Sequence, residues 1–214
     1  MRSATLVLAL GALVLAACGS SATKGSGHVV SVSRPLSGFT RIEFKGAATV
    51  DVSVAEPAGV TIRGDDNIVP LVRTKVVDGA LVISSKHSYT SKNDLRIAVT
   101  TPALDAVRLE GVGTFTAAGI HATSFRLDLN GAGTADLGGT VGRLDANIAG
   151  AGSALLDDLD ARDANVSLSG TGSVHVHASR SLDASVSGVG SILYSGHPQR
   201  VRTHVSGVGS IAAG

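Results

Sequence analysis

The chain has 214 residues, with 27 glycines, 3% aromatic residues, no tryptophan and one cysteine. A formal net charge of +1 removes the electrostatic case for a nucleic-acid partner, and a lone cysteine excludes a disulfide within the chain. So few aromatics leave little bulk for a helical core, whereas the abundant Val, Leu, Ile and Ala suit thin, stacked β-structure.

Residues 1–17 read as a cleaved signal peptide. Arg2 supplies the positive start, and "ATLVLALGALVLAA" is an apolar run ending in small residues, too short to span a bilayer comfortably. "LAAC", Leu15 to Cys18, resembles the bacterial lipobox. That resemblance implies acylation of Cys18 and a membrane partner reached through it, each buried CH₂ contributing about 0.8 kcal/mol. Gly19 and Ser20 follow with no aspartate, which by the sorting of lipoproteins in two-membrane bacteria implies the outer membrane as the address in the cell envelope. Residues 18–27, the lipidated cysteine and "GSSATKGSG", lack apolar periodicity and are expected to form a flexible tether. Cleavage removes Arg2 alone among the charges, leaving 17 basic and 17 acidic residues, so no polybasic membrane patch is expected.

Residues 28–214 read as one domain. Its first part, 28–103, is irregular. "FTRIEFKGAATVDVSV" (39–54) alternates like two strands around Gly46, and "GVTIRGDD" (59–66), "VRTKVVDGALVISS" (72–85) and "DLRIAVTT" (94–101) read as further strands. Asp78-Gly79 predicts a tight turn, Pro70 and Pro102 punctuate, and no stretch carries a helical period.

Residues 104–214 repeat. A GxG turn recurs at Gly111/Gly113, Gly131/Gly133, Gly150/Gly152, Gly170/Gly172, Gly188/Gly190 and Gly207/Gly209, with steps of 20, 19, 20, 18 and 19 residues. A single GxG could be a phosphate cradle, but that fingerprint needs one turn followed by a helix. Six copies at a near-constant period predict a solenoid instead. Two, and four, residues before the first glycine the copies are mostly aliphatic, as they are four after it; three before, they are polar; three after, every copy has a hydroxyl. This period of two predicts strands with one apolar face and one wet face. The glycines share the inward parity, so they point inward or sit where the coil turns and leaves no room for a Cβ. Stacking the copies in register pairs Arg126 with Asp145, Asp183 with Arg202 and Arg108 with Asp128.

These features, from Phe39 to Gly214, resemble the GIN-domain family, the putative auto-transporter adhesin head domain: "FTRIEFKGAATVDVSV", "GVTIRGDDNIVPLVRTKVVDGALVIS", "TPALDAVRLEGVG" and the serial "LDASVSGVGS"-type copies carry the likeness. The resemblance implies an all-β, right-handed parallel β-helix, here a β-solenoid with rungs of about 18–20 residues, commonly secreted or lipid-anchored. It brings no catalytic residues to transfer.

Few residues carry chemistry. His175 and His177 share a strand face in "VHVHA", and Asp157 and Asp158 in "LLDDLDARD" could reach them from a neighbouring rung, but metal sites need three or four well-placed ligands. The expectation is solvated polar positions and an acidic surface loop, with no metal and no cofactor. Calcium β-roll repeats carry an aspartate column at a period of nine, which this chain lacks. Asp157 and Asp158 are the only candidates for polysaccharide cleavage, without an aromatic platform beside them. The expected function is therefore a lipid-anchored, non-catalytic envelope module whose polar flank contacts an envelope protein, a glycan or peptidoglycan. A β-helix carbohydrate-active enzyme and an envelope signalling accessory are the alternatives.

Overall fold

The computed structural model describes residues 22–214; the signal peptide, Cys18 and the following residues to 21 lie outside the described residues. The first half contributes β1 (Thr23–Lys24), β2 (Val29–Arg34), β3 (Arg41–Lys45), β4 (Thr49–Val54), β5 (Gly59–Asp65), β6 (Val72–Val77), β7 (Ala80–Ser85), β8 (Tyr89–Thr90) and β9 (Arg96–Thr101). A 3₁₀ turn, Val69–Leu71, the only one among the described residues, holds Pro70. The second half contributes β10 (Ala106–Leu109), β11 (Val112–Leu129), β12 (Ala132–Ile148), β13 (Ala151–Leu168), β14 (Thr171–Val186), β15 (Val189–Ser195), β16 (Arg200–Val205) and β17 (Val208–Ala213).

The strands stack as a parallel β-solenoid of about five turns. Strands β11, β12, β13 and β14 each wrap most of one coil and pair in parallel with the next. β14 then pairs with β15 along one part and with β16 along another, and β17 closes on β15. The expected register holds residue by residue: Arg126 lies opposite Asp145, Asp183 opposite Arg202, and Arg108 opposite Asp128.

The first half is more regular than its sequence. β3 and β4 flank Gly46 and form a coil of the same stack, with β3 parallel to β10 and β4 parallel to β11. Ala47 bridges to Val112, so Gly46-Ala47-Ala48 occupies the place of a GxG turn. β7 and β9 form the next coil outward, pairing in parallel with β3 and β4. The stack order is therefore not the chain order. After β1 and β2, the chain lays the β3–β4 coil one place inside the end of the stack, builds outward to β7 and β9, then returns past Pro102 to lay β10 on the free side of β3. Thr101, fully buried, fixes this return by donating its hydroxyl to the Phe39 carbonyl at 2.8 Å. β6, β5 and β2 finish this end with antiparallel pairs, and Asp78-Gly79 makes the predicted β6–β7 turn with both residues at positive φ.

The core is a continuous file of aliphatic side chains inside the coils. Phe115, Ala135, Ala154, Val174 and Ile192 form one buried column, and Leu109, Leu129, Ile148, Leu168 and Val186 another. In β16, Val205 is 43% exposed, because that strand has a neighbour on one side only among the described residues. The only two phenylalanines of the repeat region, Phe115 and Phe125, are buried in the coil of β11, and their columns continue with smaller residues.

Three expectations need correction. The tether expected over residues 18–27 is too long, because β1 pairs in parallel with β8 and bonds this segment into the domain. Asn67 bonds to both the Lys24 carbonyl and the Ser26 amide, and Ser26 Oγ donates to Asp66. Polar side chains from distant loops supply what apolar periodicity does not. The acidic stretch read as a loop is strand: Asp157 and Asp158 lie inside β13, where residues 157–159 have no register partner in β14. Leu159 turns fully inward at this bulge and leaves the two aspartates outside.

The third correction concerns the GxG pairs, which are not turns through both glycines. Only the first glycine of each pair, Gly111, Gly131, Gly150, Gly170, Gly188 or Gly207, stands in a bend between strands. The second, Gly113, Gly133, Gly152, Gly172, Gly190 or Gly209, is the second residue of β11, β12, β13, β14, β15 or β17. These strand glycines lie opposite one another in the ladder, Gly113 against Gly133, Gly152 against Gly172, and Gly190 against both Gly172 and Gly209. None of the twelve is buried, and Gly113 and Gly209 are exposed, so the inward parity does not carry them into the core. The chain bends after each aliphatic residue that precedes the corner, and the next strand has already begun when the second glycine is reached.

Candidate functional site

Two surfaces run the length of the stack: the glycine corner and a charged flank. At the corner, each middle residue donates its amide to the first glycine of the preceding corner: Ala132 to Gly111, Ala151 to Gly131, Thr171 to Gly150 and Val189 to Gly170, all at 3.0 Å. The amides that would cradle a phosphate are thus committed to the neighbouring coil. A Cβ built on Gly131, Gly150, Gly170 or Gly188 would lie 1.9 Å from the carbonyl oxygen of the glycine below it. The strand glycines are as tightly placed. A Cβ on Gly113 would lie 2.1 Å from the Ala48 carbonyl oxygen, on Gly133 2.1 Å from that of Gly113, and on Gly152 2.1 Å from that of Gly133. At the far end the same distance from Gly209 to the Gly190 oxygen is 1.8 Å. Of the two expectations for these positions, the close approach with no room for a Cβ is the one the structure adopts. Gly190 also sits at φ +157, with a Cβ position 1.9 Å from the Gly172 oxygen. The middle column (Val112, Ala132, Ala151, Thr171, Val189, Val208) is exposed throughout.

The flank lies on the strand segments that precede the corner. Three columns alternate with the buried ones. Farthest from the glycines stand Ser124, Arg143, Asp163, Ser181 and Arg200; next come Arg126, Asp145, Asn165, Asp183 and Arg202; nearest stand Arg108, Asp128, Asn147, Ser167, Ser185 and His204. Arg143 and Arg200 lie two positions beyond the sequence columns; extending those columns along the strand finds both.

Carboxylates are bonded from the coil above in the same column. Asn147 donates to Asp128 at 3.1 Å, Asn165 to Asp145 at 3.2 Å, and Ser181 to Asp163 at 2.6 Å. Arginines add to this within or beside the coil. Arg126 forks onto Asp128 at 2.8 and 2.9 Å, two residues along its own strand, in preference to Asp145 across the rung. Arg143 reaches Asp145 at 3.2 Å, and Arg180 grips Asp163 with two nitrogens. Burial pushes the Asp128 carboxyl up, yet the bonds from Arg126 and Asn147 and the charges of Arg126 and Arg108 together hold it below the usual range. Asp128 is only 8% exposed, so the wet column is not wet at that coil. The Arg180 and Ser181 bonds hold Asp163 down to about 2.

The pattern opens at its last step. Asp183 and Arg202 are register partners, but neither has a side-chain hydrogen bond or ion pair among the described residues, and the same holds for Arg200. Here the flank forms a groove of about 420 Å³ lined by Arg143, Arg180, Arg200, Arg202, Asp163 and Asp183, with Asn165 and Ser181 between them.

The residues singled out for chemistry lie elsewhere. His175 and His177 are half-buried around the inward Val176. His175 Nδ1 stands 3.4 Å from Asp157, and His177 is 3.9 Å from Asp160 and 3.1 Å from Ser195 Oγ. Asp158 has no side-chain partner among the described residues and faces outward. These are separate pairs, and among the described residues no three His, Cys, Asp or Glu side chains gather around a point.

Asp65 carries no signal in the sequence. Its carboxylate, 1% exposed, accepts from Ser91 at 2.6 Å and Asn93 at 2.7 Å, and those bonds hold its pKa down. It ties the β8 region and the N-terminal segment to β5, and a Cβ on Gly25 would lie 1.8 Å from it.

Comparison with known proteins bears on the whole stack. No curated protein matches the chain. A crystal structure described as a "putative adhesin" from Bacteroides fragilis is 25% identical, with a TM-score of 0.76, the match covering 89% of this chain and 99% of that one. A second "putative adhesin", from Parabacteroides merdae, shares the fold at 20% identity and a TM-score of 0.55, covering 90% of this chain and 98% of that one. The model of the family described as "Putative auto-transporter adhesin, head GIN domain" matches residues 38–198, from just before β3 to the end of β15 and stopping short of β16, and the chain belongs to that family.

Proposed function

We propose that this chain is a non-catalytic binding module of the cell envelope, held at a membrane by lipid on Cys18 and making contact through its charged flank. The family match over residues 38–198 carries the adhesin-like part of the reading. A rigid stack suits such a role. Side chains projecting from paired strands keep fixed spacings, about 4.8 Å between rungs, so a repeated partner meets a repeated surface. The corner does not compete for the role, because its amides are bonded along the stack. Attachment by Cys18 agrees with the lipobox-like "LAAC", and among the described residues no helix is long and apolar enough to cross a membrane. Mass spectrometry of the mature N-terminus tests the anchor. A diacylated or triacylated Cys18 in the membrane fraction, lost with Cys18→Ser, is the expected result; an unmodified cysteine refutes it.

A further inference from the structure

The flank satisfies its carboxylates from rung to rung until the last step, and the open step coincides with the groove. Arg200 and Arg202 alternate on β16, so both guanidinium forks project from one strand face without a carboxylate partner among the described residues. Asp183, exposed beside Arg202, is a free acceptor, and Asn165 in the next coil lines the groove while donating to Asp145. Arg143 and Arg180 add positive charge from the walls while remaining bonded to Asp145 and Asp163.

We propose that this groove binds an acidic saccharide, with the sugar carboxylate on the Arg200 and Arg202 forks and neighbouring hydroxyls donating to Asp183. The proposal deepens the reading of the flank as a contact surface and rests on it. Arginine forks match the two oxygens of a carboxylate and bond it bidentately. A bare sulfate or phosphate would use the arginines but bring no hydroxyl donor to offset the charge of Asp183. An acidic peptide side chain would bring a carboxylate but no hydroxyls for that free acceptor. A uronate carries both an anion and hydroxyl donors within one ring, which is the combination the groove leaves unpaired. Because no aromatic ring lines the groove, polar contacts hold the sugar and binding weakens as salt screens them.

Titration calorimetry of the full chain with trigalacturonate tests this. Its methyl ester, sulfate and triglutamate are the comparison probes. Trigalacturonate is expected to bind, and the methyl ester, which keeps the shape and loses the charge, is not. Arg202→Gln should weaken binding about 10- to 100-fold, the range for one charged hydrogen-bonding group. Asp183→Asn should weaken trigalacturonate while leaving sulfate unchanged or tighter. Both side chains are exposed, so the melting temperature should hold; should the arginine variant melt early, the Asp183→Asn comparison decides. Absence of trigalacturonate binding, equal binding of its ester, indifference to both substitutions, or tighter binding of triglutamate overturns the proposal. If saccharide binding fails while flank substitutions still abolish attachment to a surface, the contact face stands and only the sugar is wrong.

Discussion

Replacing Gly150 with alanine adds one carbon atom to the middle of the stack. That carbon would sit 1.9 Å from the carbonyl oxygen of Gly131, the same oxygen that accepts the Ala151 amide at 3.0 Å. The coils must open locally by about 1 Å before the contact becomes tolerable, because backbone lies directly against backbone at this half-buried corner. Overpacking costs about 1–3 kcal/mol. Displacing the Ala151–Gly131 bond and the neighbouring Gly150–Leu129 bond adds about 1 kcal/mol each. The total of about 3–5 kcal/mol corresponds to a melting temperature lower by about 6–20 °C for a chain of this size. Ala151→Val, one residue away, is the control. That column is exposed and already holds Val112, Val189 and Val208, the last 73% exposed, so the change should stay within about 0.5 kcal/mol. Thermal unfolding followed by circular dichroism measures both. A Gly150→Ala variant that melts within about 2 °C of the parent (about 1 kcal/mol or less), or an Ala151→Val variant that falls as far, would refute the close-stacking account of the glycines.

The remaining predictions concern the carboxylates. The folded-state pKa of Asp163, about 2, lies below the ordinary value of about 3.9, so its contribution is complete above pH ~4 and is lost as pH falls through about 2. Acid unfolding should therefore steepen in that window, and Asp163→Asn should flatten it; an unchanged acid profile would count against the Arg180–Asp163 pair. Asp65→Ala should free the segment around β1 and β8 with the coils intact, seen as faster tryptic cleavage after Lys24 and Lys92; parent-like resistance would show that the clasp is not what holds it. His175→Ala with His177→Ala removes two half-buried polar contacts, His175 to Asp157 and His177 to Ser195, worth about 1 kcal/mol or less each, and should move the melting temperature by only a few degrees; a stoichiometric zinc heat in the parent that this variant loses would instead make the histidines a metal site.

The repeat was legible because its cause is local and recurrent. No side chain fits against the carbonyl below, so glycine returns at each corner, and the alternation on either side follows from the strand. Spacing alone does not divide the two glycines of a pair. The same lack of room for a Cβ selects glycine in the bend at Gly131 and in the ladder at Gly133, so bend and strand look alike in the sequence. Register followed too, since six copies in line leave one way to align the columns. The coils of the first half were hidden for matching physical reasons. Ala48 takes the place of a second glycine, so no GxG marks the β3–β4 coil, and residues 86–95 interrupt the coil of β7 and β9. The inside-out stack order depends on long-range pairing through Thr101 and Phe39, 62 residues apart, which no local pattern encodes. Within the flank, columns were readable but partners were not. Arg126 faces Asp145 by register yet folds along its strand to Asp128, where two bonds form with one carboxylate. The β1–β8 pairing spans two residues per strand and rests on Asp65, Asn67 and Ser26, which carry no periodic signal.

The proposal puts contact on the flank and leaves the corner to the close stacking of the coils, and one adhesion measurement separates the two. Beads coated with the full chain would be tested for retention on isolated bacterial envelopes against two doubly substituted variants of unchanged stability. Arg200→Gln with Arg202→Gln removes the free forks of the groove; Val189→Ser with Val208→Ser alters the exposed corner. The account predicts that the flank variant loses retention and the corner variant keeps it. Retention that survives the flank changes, or that disappears with the corner changes, would contradict it.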